Sequence, residues 1–256
     1  MIAMADPKPN DAFQWTQEPW GRALRCTRLP APHLFTSRDL VLRDDQAEWD
    51  AVSASLGVTR DRLLLVKQVH GIHAVIARKG TTGWAKPQAD IIISDDPAVA
   101  IGVRTADCAP ILVYDQTRNV VGAAHAGWRG AASHVALAAV RAMHNEFGTN
   151  AADLIAAIGP CLGQCCGEVG PEVVEAFRAG GADAASIDVW FRPGKGDRSF
   201  LDLERANRDQ LEDAGMNPDT IFTSGLCTKS NAERLHSYRA AREGAGRLLG
   251  AIRCLA

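Results

Sequence analysis

The sequence predicts a mixed α/β fold: one β-sheet of mixed strand directions, flanked by helices. Three observations lead there. Apolar runs of strand length recur along the chain, and several are continuous rather than alternating, which suits strands covered on both faces. Stretches with helical start and stop signals lie between them. The two kinds of segment alternate without a strict βαβ rhythm, so a wholly parallel sheet is not expected.

Taken in order, residues 1–20 read as a polar, partly ordered lead-in; Asp6 and Asp11 come early and no apolar core of signal-peptide length is present. Asp44 to Leu56 is the first helical stretch. Leu63–Val66 is the first apolar run, followed by Ala89–Ile93, Val99–Val103, Ile111–Tyr114 and Val120–Ala124. Ala131 to Phe147 reads as one long helix, with Val135, Ala139 and Met143 spaced to share a face. Leu154–Ile158 is the next strand. Pro171 to Ala179 opens with proline at a first helical position. Leu201 to Ala214 stops before Gly215, a helix-terminating residue. Leu248–Ile252 is the last strand. No repeat, low-complexity tract or Pro/Gly/Ser-rich linker divides the chain, so residues 1–256 read as one domain.

Twenty-eight basic residues against thirty acidic ones leave a formal charge of −2. That balance gives no electrostatic case for nucleic acid or an anionic membrane. No apolar run approaches the roughly 18 residues of a membrane span. A cytoplasmic address with neither partner is therefore expected. There, seven cysteines are expected as free thiols or metal ligands rather than as a disulfide framework.

Three short segments put a metal-ligand residue beside glycine or proline at a strand end. Lys67-Gln68-Val69-His70-Gly71 follows the run Leu63–Val66. Thr105 to Pro110 carries Cys108 between two runs, and Ala123 to Gly130 carries His125 where a strand ends and a helix begins. Two imidazoles and a thiolate are a sensible zinc set, and catalytic zinc keeps three protein ligands with a fourth position free. Spacing alone leaves other readings open. The three residues are far apart in sequence, Cys108 reads equally as a small buried hydrophobe, and either histidine as a hydrogen-bonded core or surface residue. Arg129 stands where a helix N-terminus meets phosphate, or serves packing or a salt bridge. Asp107 orients a ligand or forms a turn. His73 is not expected as a ligand, because strand alternation would turn it away from His70. Cys161, Cys165 and Cys166 read as chance clustering in a glycine-rich turn more readily than as a second metal or redox site.

The segments KQVHG, RTADCAPILVYD, AAHAGWRG and IGPC resemble the laccase-domain family. Its bacterial members have been called multicopper polyphenol oxidases, peptidoglycan-editing factors and zinc-dependent purine nucleoside phosphorylases. The resemblance runs from about Leu63 to the C-terminus and takes in Cys227-Thr228, Ser237-Tyr238-Arg239 and Gly246-Arg247. It implies that His70, Cys108 and His125 are both the metal ligands and the catalytic set, with zinc as the cofactor and copper as the other candidate. It also implies purine nucleosides (adenosine, inosine, guanosine, methylthioadenosine) and phosphate as partners, with Arg129 as a substrate contact, and an accompanying adenosine deaminase activity. By the same resemblance Arg38, Gln68, Arg239 and Arg247 approach the pocket, whereas His236 and Trp128 read as packing or rim residues. Two departures bear on substrate preference: the loop after Ser37-Arg38 is short, and Gly167 stands first in what is usually a Tyr-Glu-Val-Gly segment.

Two other activities fit the residue types. A cysteine hydrolase or peptidoglycan-precursor editing enzyme would use Cys108 as nucleophile and His125 as base. A copper-dependent polyphenol oxidase would use two histidines and a cysteine, but multicopper chemistry calls for many more histidines than the seven here, which include no H-x-H pair.

Overall fold

The computed structural model describes residues 6–256. Its strands fall into two six-stranded mixed sheets and one small sheet, where the sequence suggested a single one. The first sheet runs in the order β1 (Phe13–Glu18), β2 (Gly21–Cys26), β3 (His33–Thr36), β15 (Leu248–Arg253), β7 (Ala100–Thr105), β4 (Leu63–Leu65). The second runs β14 (Ile221–Thr223), β10 (Leu154–Ile158), β8 (Ala109–Asp115), β9 (Val120–Ala126), β6 (Ile91–Ser94), β5 (Ala74–Ala77). Pairs β4–β7, β10–β14 and β5–β6 are parallel and the other pairs of these two sheets antiparallel. Strands β11 (Glu168–Val169), β12 (Phe191–Pro193) and β13 (Ser199–Leu201) form the small sheet.

The two large sheets pack face to face, and this is why so many strands are apolar on both sides. Along β6, Ile92 points into the core between the sheets, with Ile101 and Val103 of the first sheet and Leu112 and Val121 of the second. Its neighbours Ile91 and Ile93 point the other way, into a core built with helices. The outer face of the first sheet, through Leu63, Leu65 and Leu249, is covered by α1 (Gln46–Ser55) with Trp49, Val52 and Leu56. The outer face of the second is covered by α2 (Trp128–Ala132), α3 (Val135–Phe147), α4 (Pro171–Ala179), α5 (Ala184–Trp190) and α6 (Leu203–Asp213). A short α7 (Tyr238–Ala241) lies near the site described below. Strand β15, close to the C-terminus, pairs between β3 and β7.

Of the partly ordered lead-in expected over residues 1–20, residues 1–5 lie outside the described residues and a later part forms a strand. Phe13–Glu18 pairs along its whole length with β2, and Phe13 is buried against Phe35. The helix expected over 131–147 is two helices, broken at Ser133-His134, where His134 adopts a left-handed φ of 61°. Gln210 donates to the Ala131 carbonyl at the break, and the ring of His134, within the break, reaches out to the Gly180 carbonyl. Gly180 is itself required there, since a Cβ would fall 1.9 Å from the Ala132 oxygen.

Among the described residues no helix is long and apolar enough to cross a membrane.

Candidate metal centre

Three loop or strand-end positions bring the expected ligands together at the edge of the two-sheet stack. Cys108 precedes the first residue of β8, His125 is the penultimate residue of β9, and the register pairs Pro110 with His125. His70 follows β4 on a loop that continues the sheet by proxy. The Gln68 side chain donates to the Arg104 carbonyl at 2.6 Å and accepts from the Arg104 N–H at 2.9 Å, as a neighbouring strand would. One donor atom from each of His70, Cys108 and His125 lies within 4.8 Å of the others. The two imidazole rings stand edge-on, centroids 4.9 Å apart. His125 is buried, Cys108 half-buried and His70 exposed. The pocket therefore opens on the His70 side.

The residue that organises this geometry is absent from the expected set. Asp90, fully buried, accepts hydrogen bonds from the backbone N–H of Val69, His70 and Gly71 at 2.7–3.1 Å. It also faces His125 Nδ1 at 2.8 Å, while its own carbonyl accepts from the His125 N–H. One carboxylate thus holds two ligands: it pins the His70 loop, including the left-handed φ of 62° at His70, and takes up Nδ1–H of His125, leaving Nε2 for a metal. Burial pushes the Asp90 carboxyl up, but the bonds from His125, Gly71 and Val69 outweigh it and hold it low. A single carboxylate at the head of an otherwise apolar strand was the available signal.

The donor set behaves as a coupled group. Burial would raise the Cys108 thiol, yet the two imidazoles bring it down to about 6. Burial would lower His125, yet Asp90 and Cys108 bring it up to about 9. Both shifts reflect a site that favours a thiolate beside positive charge, the condition a divalent cation also meets. A second feature fits an ion: a Cβ on Gly127 would lie 2.8 Å from Cys108 Sγ and 3.2 Å from His70 Cδ2. Only glycine leaves the ligands that close together. Two nitrogens and one sulfur, converging from three segments with buried hydrogen-bond support, fit zinc with one position free.

The ligands sit at one side of a cavity of about 960 Å³. Gln68, Asp107, Trp128, Arg239 and Arg247 line it, as do Lys86, Arg104, Tyr238 and Arg242, to which the sequence reading had assigned no role. Arg104 has a buried Nε with no protein partner. Burial first, then the Arg247 and Arg60 charges, lower its pKa, with Asp44 opposing. Burial and then Arg104 and Arg60 likewise lower Lys86. Cations that repel one another in this way favour a bound anion between them. Arg129, by contrast, is exposed, stacks over the Trp128 ring at 4.1 Å and does not line the cavity. Arg38 bonds the Ala232 carbonyl, and His236 is buried between the Leu40 carbonyl and the Gly246 N–H. His73 is exposed on the loop before β5, away from the ligand group; no strand alternation is involved. Asp107, in a left-handed conformation with φ of 92°, accepts from Thr228 Oγ1 at 2.7 Å and from the Arg239 N–H at 2.6 Å. It ties the Cys108 turn to the segments bearing the cavity's arginines.

The sequence model described as multi-copper polyphenol oxidoreductase laccase matches residues 43–255. A protein of Deinococcus radiodurans named purine nucleoside phosphorylase is 34% identical over 249 residues, which cover 90% of this chain and 91% of that one. One of the same name from Bacteroides thetaiotaomicron is 34% identical over 163 residues, 64% of this chain; the match spans only 60% of that relative's length. A protein of an unknown prokaryotic organism named adenosine deaminase RL5 is 32% identical, covering 78% of each chain. The crystal structure of YlmD from Geobacillus stearothermophilus superposes with a TM-score of 0.81 at 28% identity, covering 94% of this chain and 99% of that one.

Proposed function

The chain belongs to the multi-copper polyphenol oxidoreductase laccase family, and from that premise we propose that it is a zinc-dependent purine nucleoside phosphorylase with adenosine deaminase activity. Its substrates are adenosine, inosine, guanosine and methylthioadenosine, with phosphate as co-substrate, and it works in the cytoplasm. The observation that carries this reading is the pairing of a three-donor group with a cationic wall, Arg104 Nε buried within it, in one cavity. The names of relatives at 32–34% identity support it.

His70, Cys108 and His125 would hold the zinc, which supplies Lewis-acid chemistry at the cavity wall. Arg104, Arg247 and Lys86 would hold phosphate, an anion that relieves their mutual repulsion and satisfies Arg104 Nε. The phosphate-binding role expected of Arg129 passes to these residues, and Arg129 instead stacks on the Trp128 ring. Trp128, Leu162 and Tyr238 supply apolar surface for a purine. Phosphorolysis joins a phosphate oxygen to C1′ while the bond from C1′ to the purine nitrogen breaks, its electron pair leaving with the base. The site contributes orientation and charge neutralisation to that displacement.

A second reading takes Cys108 and His125 as a hydrolytic nucleophile and base, and the lowered Cys108 thiol favours it. Alkylation separates the two: a ligating thiolate resists reagent until zinc is chelated, whereas a nucleophile reacts in the metal-bound protein. The direct test is zinc-loaded protein with inosine or adenosine and phosphate. Free base and ribose 1-phosphate are expected, and Cys108→Ala is expected to lose zinc and turnover together. Unchanged nucleosides would refute the proposal.

A further inference from the structure

Three of the remaining thiols gather at a second point. Cys165 and Cys166 stand on the turn after β10, and Cys227 on the loop after β14; their sulfur atoms lie within 4.8 Å of one another. Cys165 and Cys166 Sγ are 3.7 Å apart. The Ser230 hydroxyl is 3.4 Å from the first and 3.3 Å from the second, and the Ser230 N–H donates to Cys227 Sγ at 3.5 Å. Four soft or polar donor atoms thus face one another across two loops. Cys227 came from too far along the chain for sequence spacing to include it. Cys161, which spacing did include, is buried apart from the group.

From this arrangement we infer a second metal site, in which Cys165, Cys166 and Cys227 bind a thiophilic d10 cation, zinc(II) or copper(I), with Ser230 beside them. The sizes agree. A zinc–sulfur bond of about 2.3 Å gives a tetrahedral sulfur–sulfur edge of about 3.8 Å, close to the 3.7 Å between Cys165 and Cys166. The widest pair needs to close by only about 1 Å, within reach of side-chain rotation. Thiolates select these two ions over harder ones. The backbone is built for close approach: a Cβ on Gly163 would lie 3.0 Å from Cys227 Cβ and 3.6 Å from Cys165 Sγ. The two loops are already zipped one step away, where Cys161 N–H donates to the Leu226 carbonyl and Thr228 N–H to the Cys161 carbonyl. Neither Cys165 nor Cys166 is in the hydrophobic clusters that hold the rest of the fold. A cation there would clip a segment that lies outside those clusters.

The site also has a line to the first one. The Cys166 carbonyl lies 3.4 Å from Arg239 Nη1, the Glu168 carbonyl accepts from the same atom at 2.9 Å, and Thr228 next to Cys227 donates to Asp107.

The test is metal counting on the full chain, loaded anaerobically with zinc(II) and freed of excess by desalting. The expected result is two equivalents per chain in the wild type. One equivalent is expected in Cys108→Ala, one in Cys165→Ser/Cys166→Ser, and none in the triple variant. Circular dichroism and urea unfolding establish that each variant folds. For any that does not, alkylation of the wild type mapped by mass spectrometry replaces it: Cys165, Cys166 and Cys227 should be protected by zinc and labelled after chelation. Repeating the loading with copper(I) tells the two ions apart, and retention of either by these three thiols supports the site. A single equivalent in the wild type, abolished by Cys108→Ala, would overturn the inference. So would a disulfide among the three thiols in protein prepared without reductant, or labelling that zinc does not slow.

Discussion

Replacing Gly127 with alanine separates metal binding from folding more cleanly than replacing a ligand. Gly127 has φ −79° and ψ 173°, an extended conformation open to any residue, so alanine introduces no backbone strain. Its new methyl would meet Cys108 Sγ at 2.8 Å, where ordinary contact begins near 3.4 Å. Something must therefore move by roughly 0.6 Å, three times the ±0.2 Å that a zinc ligand distance tolerates. In metal-free protein the sulfur can swing into the cavity, so the steric cost is small. It is set against the ~0.4–1 kcal/mol that a compatible glycine-to-alanine change gains through the unfolded chain. The expectation is a urea midpoint in the presence of chelator close to that of the wild type. Zinc affinity, measured by competition with a chromophoric chelator, should fall ~100-fold or more. Stability in excess zinc should then drop by the corresponding ~2.7 kcal/mol relative to wild type. If Gly127→Ala binds zinc within threefold of the wild type, the three donors do not converge on one ion as described.

Asp90→Asn leaves one amide oxygen for four donors and turns an NH₂ toward the rest. It should cost ~2–4 kcal/mol in urea unfolding and ~10–100-fold in zinc affinity; unchanged affinity would mean that Asp90 does not orient His125. Arg104→Met should raise the KM for phosphate at least ~10-fold, whereas Arg129→Met should change it less than twofold; the reverse ranking would restore the helix-end assignment. Glu204, on the first turn of α6, has its carboxyl pushed up to about 7 by burial, with Asp202 adding and the Gly225 N–H opposing. The folded state therefore holds a proton that the unfolded state releases near pH 4.5, and stability is lost as pH rises from there through about 7. Glu204→Gln keeps the acceptor for Gly225 and should exceed wild type by ~1–2 kcal/mol at pH 8, discounted for partial exposure, while matching it at pH 5. A gap equal at both pH values would rule out titration as the cause.

How much of this was legible follows from what each residue depends on. Continuous apolar runs announced strands buried on both faces, and Leu154–Ile158 and Pro171–Ala179 match the observed bounds. The runs could not say that the second cover was another sheet, because a strand's composition is the same whether a helix or a sheet lies over it. The alternating β1 and the short strands β11 to β14 carry too few apolar residues to stand out. Glycine and proline beside three ligand-type residues marked the metal group. Asp90 and Arg104 were hidden for a different reason: each lies in or beside an apolar run, and its role exists only once the sheets bring it beside His125 or Lys86. The same holds for Cys227, which tertiary structure alone joins to Cys165 and Cys166.

Donor chemistry by itself does not separate zinc from copper at His70, Cys108 and His125, since two imidazoles and a thiolate also make a copper site. The other five histidines bear on the multicopper reading. His33 donates from Nδ1 to the Ala31 carbonyl and accepts the Cys26 N–H at Nε2; His134, His144 and His236 each bond backbone carbonyls. His73 is exposed and outside the ligand group. None of them joins a second histidine cluster, so a relay of several coppers has no imidazoles to hold it among the described residues. One ion beside Arg104, Lys86 and Arg247 has a different use. Electron transfer gains nothing from a wall of repelling cations, whereas a reaction that brings phosphate to a sugar carbon needs one. In the proposed reading, the charge lining the cavity, more than the three donors themselves, favours group transfer over oxidation.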